Sequence, residues 1–394
     1  MRILVLAPEL PYPPVGGGKL RAYHLLRGLA ERHTLDILCF LHDPSERKLL
    51  KDVRQWAGIT PVLWTMPPVY AALYEGADPE DVERASDLPL LPAYFESEEM
   101  QARMDEALST ARYDAVYVIT SMMGQFLPAG LNVAAAVDLW NLETLVQQRA
   151  WERSGEEADR IQWEKMLAYE RSVFERCAAV FPVSSKEREE VIRLFAHPNV
   201  VNIDNGVDTG AYDPVPIPQL PRILFTGTMN YQPNEEGILY FLNDVWPLVR
   251  AGNPDATLAI VGQAPSEAVT AHHGGPVTVT GLVPKVQPYF DAARVCIVPL
   301  LSGGGTRLKI LEAMAAGRPV VSTSLGAEGL ETRDREHLLI ADTSSDFAES
   351  ILQILRDDAL AASLARSARA LVEERYDWGI LVRRLERELS TISR

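Results

Sequence analysis

The sequence predicts an α/β protein made of two doubly wound halves, and three observations carry that expectation. Short apolar runs alternate with amphipathic helical stretches, one proline-dense segment interrupts the alternation, and the same alternation then restarts. The length, 394 residues, also exceeds what a single hydrophobic core usually serves.

The apolar run 3–7 opens the chain, the turn-rich segment 8–18 follows, and Leu20, Tyr23, Leu25, Leu26 and Leu29 then recur at helical spacing. Residues 34–41 are strand-like again. Strand, glycine turn, helix, strand is a βαβ unit, which builds a parallel sheet with helices on both faces. Further strands are expected at 61–66, 115–119, 134–137, 179–183 and 200–203. The longest helix is expected from about 143 to 177, charged on one side and carrying Ile161, Met166, Tyr169 and Val173 on the other. Asp213-Pro-Val-Pro-Ile-Pro-Gln-Leu-Pro221 fixes φ and removes donors, so 213–221 reads as a semi-rigid linker. Beyond it, strands are expected at 222–225, 257–261, 277–280, 295–298, 319–323 and 338–340. Helices are expected at about 234–251, from about 306, and from 345 to the end. The organisation predicted is therefore a Rossmann-like domain over 1–212, the linker, a second Rossmann-like domain over 222–376, and a C-terminal helix, 377–394, returning to the first domain. Ligands of open α/β sheets lie beyond the carboxyl ends of the strands, so two such domains facing one another would hold their substrates in the cleft between them.

Composition narrows the function classes. Apolar residues make up 47% and charged residues 23%, the balance of a folded chain. A net charge of −16 argues against bulk binding to nucleic acid, which needs clustered Lys and Arg. Cys39, Cys177 and Cys296 lie far apart, with no metal-knuckle spacing and no disulfide framework. The apolar run at the start is too short for a signal-peptide core, and no stretch approaches the ~18 apolar residues that span a bilayer. The expected location is the cytoplasm. Residues 45–56 carry Arg47, Lys48, Lys51 and Arg54 beside Leu49, Leu50, Val53 and Trp56. A basic amphipathic helix of this kind can touch the inner face of an anionic membrane, or can simply be a docked surface helix.

The most informative stretch runs from Pro299 to Val321. It ends a strand, turns through Gly303, Gly304 and Gly305, caps a helix with Thr306, and closes that helix at Gly317. Glycines let backbone approach a ligand closely, and a helix start offers unpaired N–H groups and partial positive charge. Arg307 and Lys309 in the first turn oppose the helix dipole, an arrangement that makes sense in front of a bound anion. Glu312 leans back toward the helix start and could accept the two hydroxyls of a ribose. The alternative is a plain glycine turn leading into a surface helix with Lys–Glu pairing. Gly227 and Thr228, after the first strand of the second half, could add donors to a phosphate, with Asn234 as helix cap. Gly16-Gly17-Gly18 occupies the first βα loop, but Arg21 stands where a dinucleotide fingerprint would place its third glycine. No Asp-x-Asp occurs, so no carboxylate pair is expected to hold a metal on a nucleoside diphosphate, and no cofactor is expected.

These residues resemble the glycosyltransferases of family 4. The likeness rests on Gly16-Gly17-Gly18, Asn205-Gly-Val-Asp208, Gly281-Leu-Val-Pro284 and Glu312-Ala-Met-Ala-Ala-Gly-Arg-Pro-Val-Val321, and extends over nearly the whole chain. It is closest to a subgroup writing GGGTRLKILEAMA and TGTMxYxPN. The resemblance implies the GT-B architecture, two Rossmann-like domains across a cleft. It also implies retaining transfer of a hexosyl group from a nucleoside-diphosphate sugar such as a UDP-sugar, without a metal, to a glycan, glycolipid or small-molecule hydroxyl. By that resemblance Glu312 binds the donor ribose, and the backbone at Leu282 and Val283 meets the base. Gly227, Thr228, Gly305, Thr306 and Lys309 then surround the diphosphate, and Gly17 approaches it from the first domain; Gly18, Gly303 and Gly304 are expected among the substrate-binding residues, and Lys309 and Arg307 among the catalytic ones. The family's first motif glutamate falls at Gly304, so the sugar contact must come from elsewhere. Asp138, following a strand in Ala-Ala-Ala-Val-Asp-Leu-Trp-Asn, is a candidate acceptor-orienting or proton-accepting group, or a helix cap. The competing functions are a sugar-nucleotide epimerase of the same shape, which would need histidines and carboxylates these loops lack, and a catalytically silent nucleotide-sugar-binding protein.

Overall fold

In each half the continuous apolar runs become the inner strands of a parallel sheet, as burial on both faces requires. The structure is a computed structural model and describes residues 1–78, 81–82, 84, 86–303 and 307–394. Its internal contacts divide the chain into two units, Met1–Asp204 with Leu381–Arg394, and Asn205–Ile380.

The first unit holds β1 (Arg2–Ala7), β2 (Thr34–Leu41), β3 (Gly58–Leu63), β4 (Ala115–Ile119), β5 (Ala135–Asp138) and β6 (Ala179–Phe181). Their spatial order is β3-β2-β1-β4-β5-β6, all parallel. Leu4, Leu6, Val116, Val118 and Val137 pack on Met166, Tyr169, Val173 and Phe174 of the helix Glu157–Phe174. The single long helix expected at 143–177 is two, Glu143–Ser154 and Glu157–Phe174. Gly155 separates them at φ 70°, a left-handed cap whose N–H bonds the Trp151 carbonyl at 2.8 Å. Trp151 and Trp163 stack across the break, with ring centroids 4.9 Å apart. Two further expectations are corrected. Residues 200–203 form no strand beyond an isolated bridge between Val200 and Val180. Residues 45–56 are not one helix but a 3-10 turn, Pro44–Leu49, and one helical turn, Leu50–Val53, with Leu50 and Val53 buried as in a docked surface element. Residues 381–394 belong to this unit. Val382 lies where a Cβ on Gly28 would come within 2.5 Å, and Glu386 pairs with Arg32 at 2.6 Å and hydrogen-bonds His33 Nε2 at 3.0 Å.

The second unit holds β7 (Arg222–Thr226), β8 (Thr257–Val261), β9 (Val277–Val279), β10 (Val295–Val298), β11 (Val320–Ser322) and β12 (Leu339–Ile340), in the order β12-β11-β10-β7-β8-β9. Residues 213–221 carry neither helix nor strand. Prolines lack N–H but keep their carbonyls, and two buried guanidiniums use these. Arg294 donates to the Pro218 carbonyl at 3.1 Å, and Arg318 donates to those of Val215 and Pro216 at 2.5 and 3.5 Å. The proline-rich stretch is thus tied to the residues that lead into β10 and β11.

Candidate functional site

Strand order reverses beside β7, which has β8 on one side and β10 on the other. In open α/β sheets such a reversal marks where ligands bind, which here points to the carboxyl ends of β7 and β10. The loops leaving these strands, 227–231 and 299–307, are the two that the sequence singles out.

The loop after β7 is pinned from below. Gly227 donates to the Val261 carbonyl at 3.0 Å, and the loop after β8 presses against it so closely that a Cβ on Gly262 (φ 155°) would lie 1.7 Å from the Gly227 carbonyl oxygen. Only glycine fits there. The next helix starts at Gln232, with Tyr231 as its cap residue, so Asn234 is not the cap expected from sequence. Asn234 is buried instead. Its Nδ2 donates to the Thr228 carbonyl at 2.8 Å, and its Oδ1 accepts from Lys309 Nζ at 2.7 Å. Lys309 Nζ also lies 4.4 Å from the Phe225 ring centre, and a Cβ on Gly227 would sit 2.8 Å from it. One asparagine therefore brings the ammonium of the second loop's helix directly against the glycine of the first loop.

Lys309 belongs to the helix Leu308–Ala315, with buried Arg307 at its cap position. Burial, then the charge of Arg307, pulls the Lys309 ammonium down to about 7, with Glu312 opposing. Glu312, one turn on, is pushed up to about 7 by burial, opposed by Lys309 and by a hydrogen bond from the Tyr212 hydroxyl. Burial drives both groups toward their uncharged forms, a pattern common at functional sites. Gly303 (φ 101°) ends the described part of the loop, with Pro233 and the Tyr231 hydroxyl within 3.1 Å of where its Cβ would be. Gly304, Gly305 and Thr306 lie outside the described residues. Leu282, after β9, is 76% exposed on the rim, and Val283 beside it packs on the core through its side chain.

The candidates of the first unit have a different character. Gly17 and Gly18 open the helix Gly17–Leu29, and a Cβ on Gly18 would meet the Trp140 ring at 2.6 Å, so packing already accounts for that glycine. Asp138 ends β5 in a buried position. It is 1% exposed, and its two oxygens accept from Arg21 Nε at 2.8 Å and Nη2 at 2.5 Å. Arg21 also donates to the carbonyls of Ile203 and Asp204, both at 2.8 Å. The Asp138 carboxylate is thus held inside the first unit by the Arg21 guanidinium. Among the described residues, no three His, Cys, Asp or Glu side chains gather as a metal-ligand set. No helix among them is long and apolar enough to cross a membrane.

Two parallel six-stranded α/β units in tandem define the GT-B class of fold. The model described as "Glycosyl transferase 4-like domain" matches residues 16–206, and that described as "Glycosyl transferases group 1" matches 220–357. The chain belongs to the family 4 glycosyltransferases. It is 30% identical over 207 residues to a phosphatidyl-myo-inositol mannosyltransferase of Mycobacterium leprae, covering 50% of this chain and 54% of that protein. It is 32% identical over 165 residues to an uncharacterised protein of the cps region of Klebsiella pneumoniae, covering 40% and 42%. The chain thus spans about half the length of the curated relatives it matches. Among solved structures, sucrose-phosphate synthase of Thermosynechococcus elongatus superposes with TM-score 0.71 at 18% identity, over 100% of this chain and 99% of that one. The Anabaena protein HepE, solved with UDP, gives 0.70 at 15%, over 99% and 100%.

Proposed function

We propose that the protein is a retaining, metal-independent glycosyltransferase that moves a hexosyl group from a nucleoside-diphosphate sugar to an acceptor hydroxyl. The observation that carries this reading is the convergence of Lys309, Arg307 and Glu312 on one helix start against the Gly227 loop. Lys309 and Arg307 meet the charge of the diphosphate, most of all as it leaves, and Glu312 accepts the ribose hydroxyls. No carboxylate nucleophile is called for. The acceptor oxygen bonds to the anomeric carbon on the face from which the phosphate oxygen departs, and the acceptor proton passes to that phosphate oxygen. Catalysis then consists of orienting two substrates and stabilising the growing negative charge.

UDP is the first nucleotide to test, because HepE was solved with UDP, and a lipid-linked sugar or inositol acceptor is supported by the mannosyltransferase relatives. The deciding experiment screens UDP, GDP and their sugar conjugates for thermal stabilisation, then follows transfer by NMR with and without EDTA. We expect stabilisation by one nucleotide series, an axial product from an axial donor, and turnover that survives EDTA. An inverted product, or turnover abolished by EDTA and restored by manganese, overturns the proposal.

A further inference from the structure

Neither loop of the candidate site, 227–231 or 299–307, contains an acidic residue. A carboxylate nevertheless reaches the second of them. The helix Gln232–Tyr240 presses on that loop so closely that a Cβ on Gly237 would lie 2.7 Å from the Pro299 carbonyl oxygen. The first turn of this helix already belongs to the site. Asn234 accepts from Lys309, and Pro233 stands 3.0 Å from where a Cβ on Gly303 would be. Glu236 follows Pro233 at three-residue spacing, on the same side of the helix. Its Oε2 accepts from the Ser302 hydroxyl at 2.6 Å, and its Oε1 accepts from Gln232 Nε2 at 2.6 Å. The hydroxyl of exposed Tyr231 lies 3.1 Å from the same Gly303 Cβ position. Ser302 and Gly303 thus meet a carboxylate and a phenol in turn.

Holding the loop does not by itself call for a charge, since a neutral amide oxygen accepts from Ser302 equally well. A negative charge at the edge of a diphosphate site also works against the anion. It is favourable where hydroxyl donors face it. A carboxylate accepts about four hydrogen bonds, and Ser302 with Gln232 accounts for two. Hydroxyls donated to the remaining lone pairs make charge-assisted bonds, roughly twice as strong as neutral ones. We infer that Glu236 is a specificity-determining residue of the donor site: its carboxylate accepts hydroxyls of the transferred hexosyl group and turns away a hexosyl group that carries a carboxylate of its own. This rests on the proposed reading of the Gly227 and Gly303 loops as a site for a nucleoside-diphosphate sugar. A neutral hexose brings only donors and acceptors to Glu236, whereas a hexuronate replaces its 6-hydroxyl with a second negative charge and is repelled.

The test is calorimetric titration of the full chain with UDP, UDP-glucose and UDP-glucuronate, or with GDP, GDP-mannose and GDP-mannuronate if wild type prefers guanine. Wild type should bind the neutral sugar nucleotide about tenfold or more tightly than the hexuronate. Glu236→Gln keeps the size of the side chain and an oxygen for Ser302. It should leave UDP bound as tightly as before or up to about threefold more tightly, weaken UDP-glucose about fivefold to tenfold, and strengthen UDP-glucuronate, so that the preference disappears. Ser302→Ala removes the loop contact but keeps the charge, and should retain the preference of wild type. Wild type that does not prefer the neutral sugar overturns the inference while the nucleotide site stands. Glu236→Gln that weakens all three ligands alike, with the preference intact, also overturns it and leaves Glu236 a clamp on the Ser302 loop. Wild type that binds neither nucleotide series is the failure of the donor-site reading itself, and the inference falls with it.

Discussion

The carboxyl ends of the two sheets treat charge in opposite ways. In the first unit Asp138 and Arg21 are buried together and satisfy one another, and Glu170 accepts from Ser121, Thr144 and the Glu143 N–H. In the second unit Lys309 and Arg307 crowd one helix start, and Lys309 is driven toward neutrality. Satisfied buried charge is architecture, whereas a buried cation pulled toward neutrality beside a glycine loop is an arrangement common at functional sites. Glu143 is an exception in the first unit, pushed up to about 8 by burial and the nearby Glu170.

Breaking the satisfied pair should cost most. Arg21→Met leaves Asp138 buried and unpartnered, and urea unfolding of the first unit should lose about 3–5 kcal/mol, while nucleotide affinity stays near wild type. A loss below about 1 kcal/mol would mean that the pair is no anchor. Gly262→Ala forces a Cβ onto the Gly227 carbonyl and should lower the stability of the second unit by about 2–3 kcal/mol, with nucleotide affinity falling alongside. Unchanged melting and binding would show that the two loops can separate freely.

Relieving the frustrated charges should damage binding more than stability. Glu312→Ala is expected to weaken nucleoside diphosphate binding more than tenfold. Lys309→Met should lower turnover further than affinity, yet leave the melting temperature of the ligand-free protein unchanged or higher, because it removes a cation that burial disfavours. A clear drop in melting temperature would make Lys309 structural. The smallest effect concerns Glu143. Its proton is held to about pH 8 in the folded chain but lost near the ordinary carboxyl value when unfolded, so its favourable contribution is complete below about pH 4.5 and disappears as pH rises through 8. Glu143→Gln should flatten the decline in first-unit stability between pH 6 and 9 by on the order of 1 kcal/mol. Parallel wild-type and variant profiles would contradict that.

Much of the fold was legible in the sequence because buried parallel strands are unbroken apolar runs. β2, β4, β8 and β10 lie at 34–41, 115–119, 257–261 and 295–298, as the runs dictate. The edge strand β3 was read three residues late, since Gly58, Ile59 and Thr60 pair with β2 without forming an apolar run and Pro61 is tolerated only at an edge. The helix break at Gly155 was missed because charged periodicity continues on both sides of it. At the candidate site, the glycines and the Arg307, Lys309 and Glu312 trio announce themselves by spacing along one helix. Asn234 does not, because it acts through a contact with a residue distant in sequence, and the burial of Asp138 at the end of β5 depends on Arg21 from the helix Gly17–Leu29.

The most direct measurement is proton exchange on nucleotide binding, taken by calorimetry of UDP and GDP at pH 8 in buffers of different ionisation heat. Lys309, lowered to about 7 by burial and by Arg307, is mostly neutral at that pH, so on this account docking a diphosphate recharges it. Wild type should take up close to one proton per nucleotide bound, and Lys309→Met should take up none. Binding without proton uptake in wild type, or equal uptake in both proteins, would contradict a site whose cation is held ready for an arriving anion.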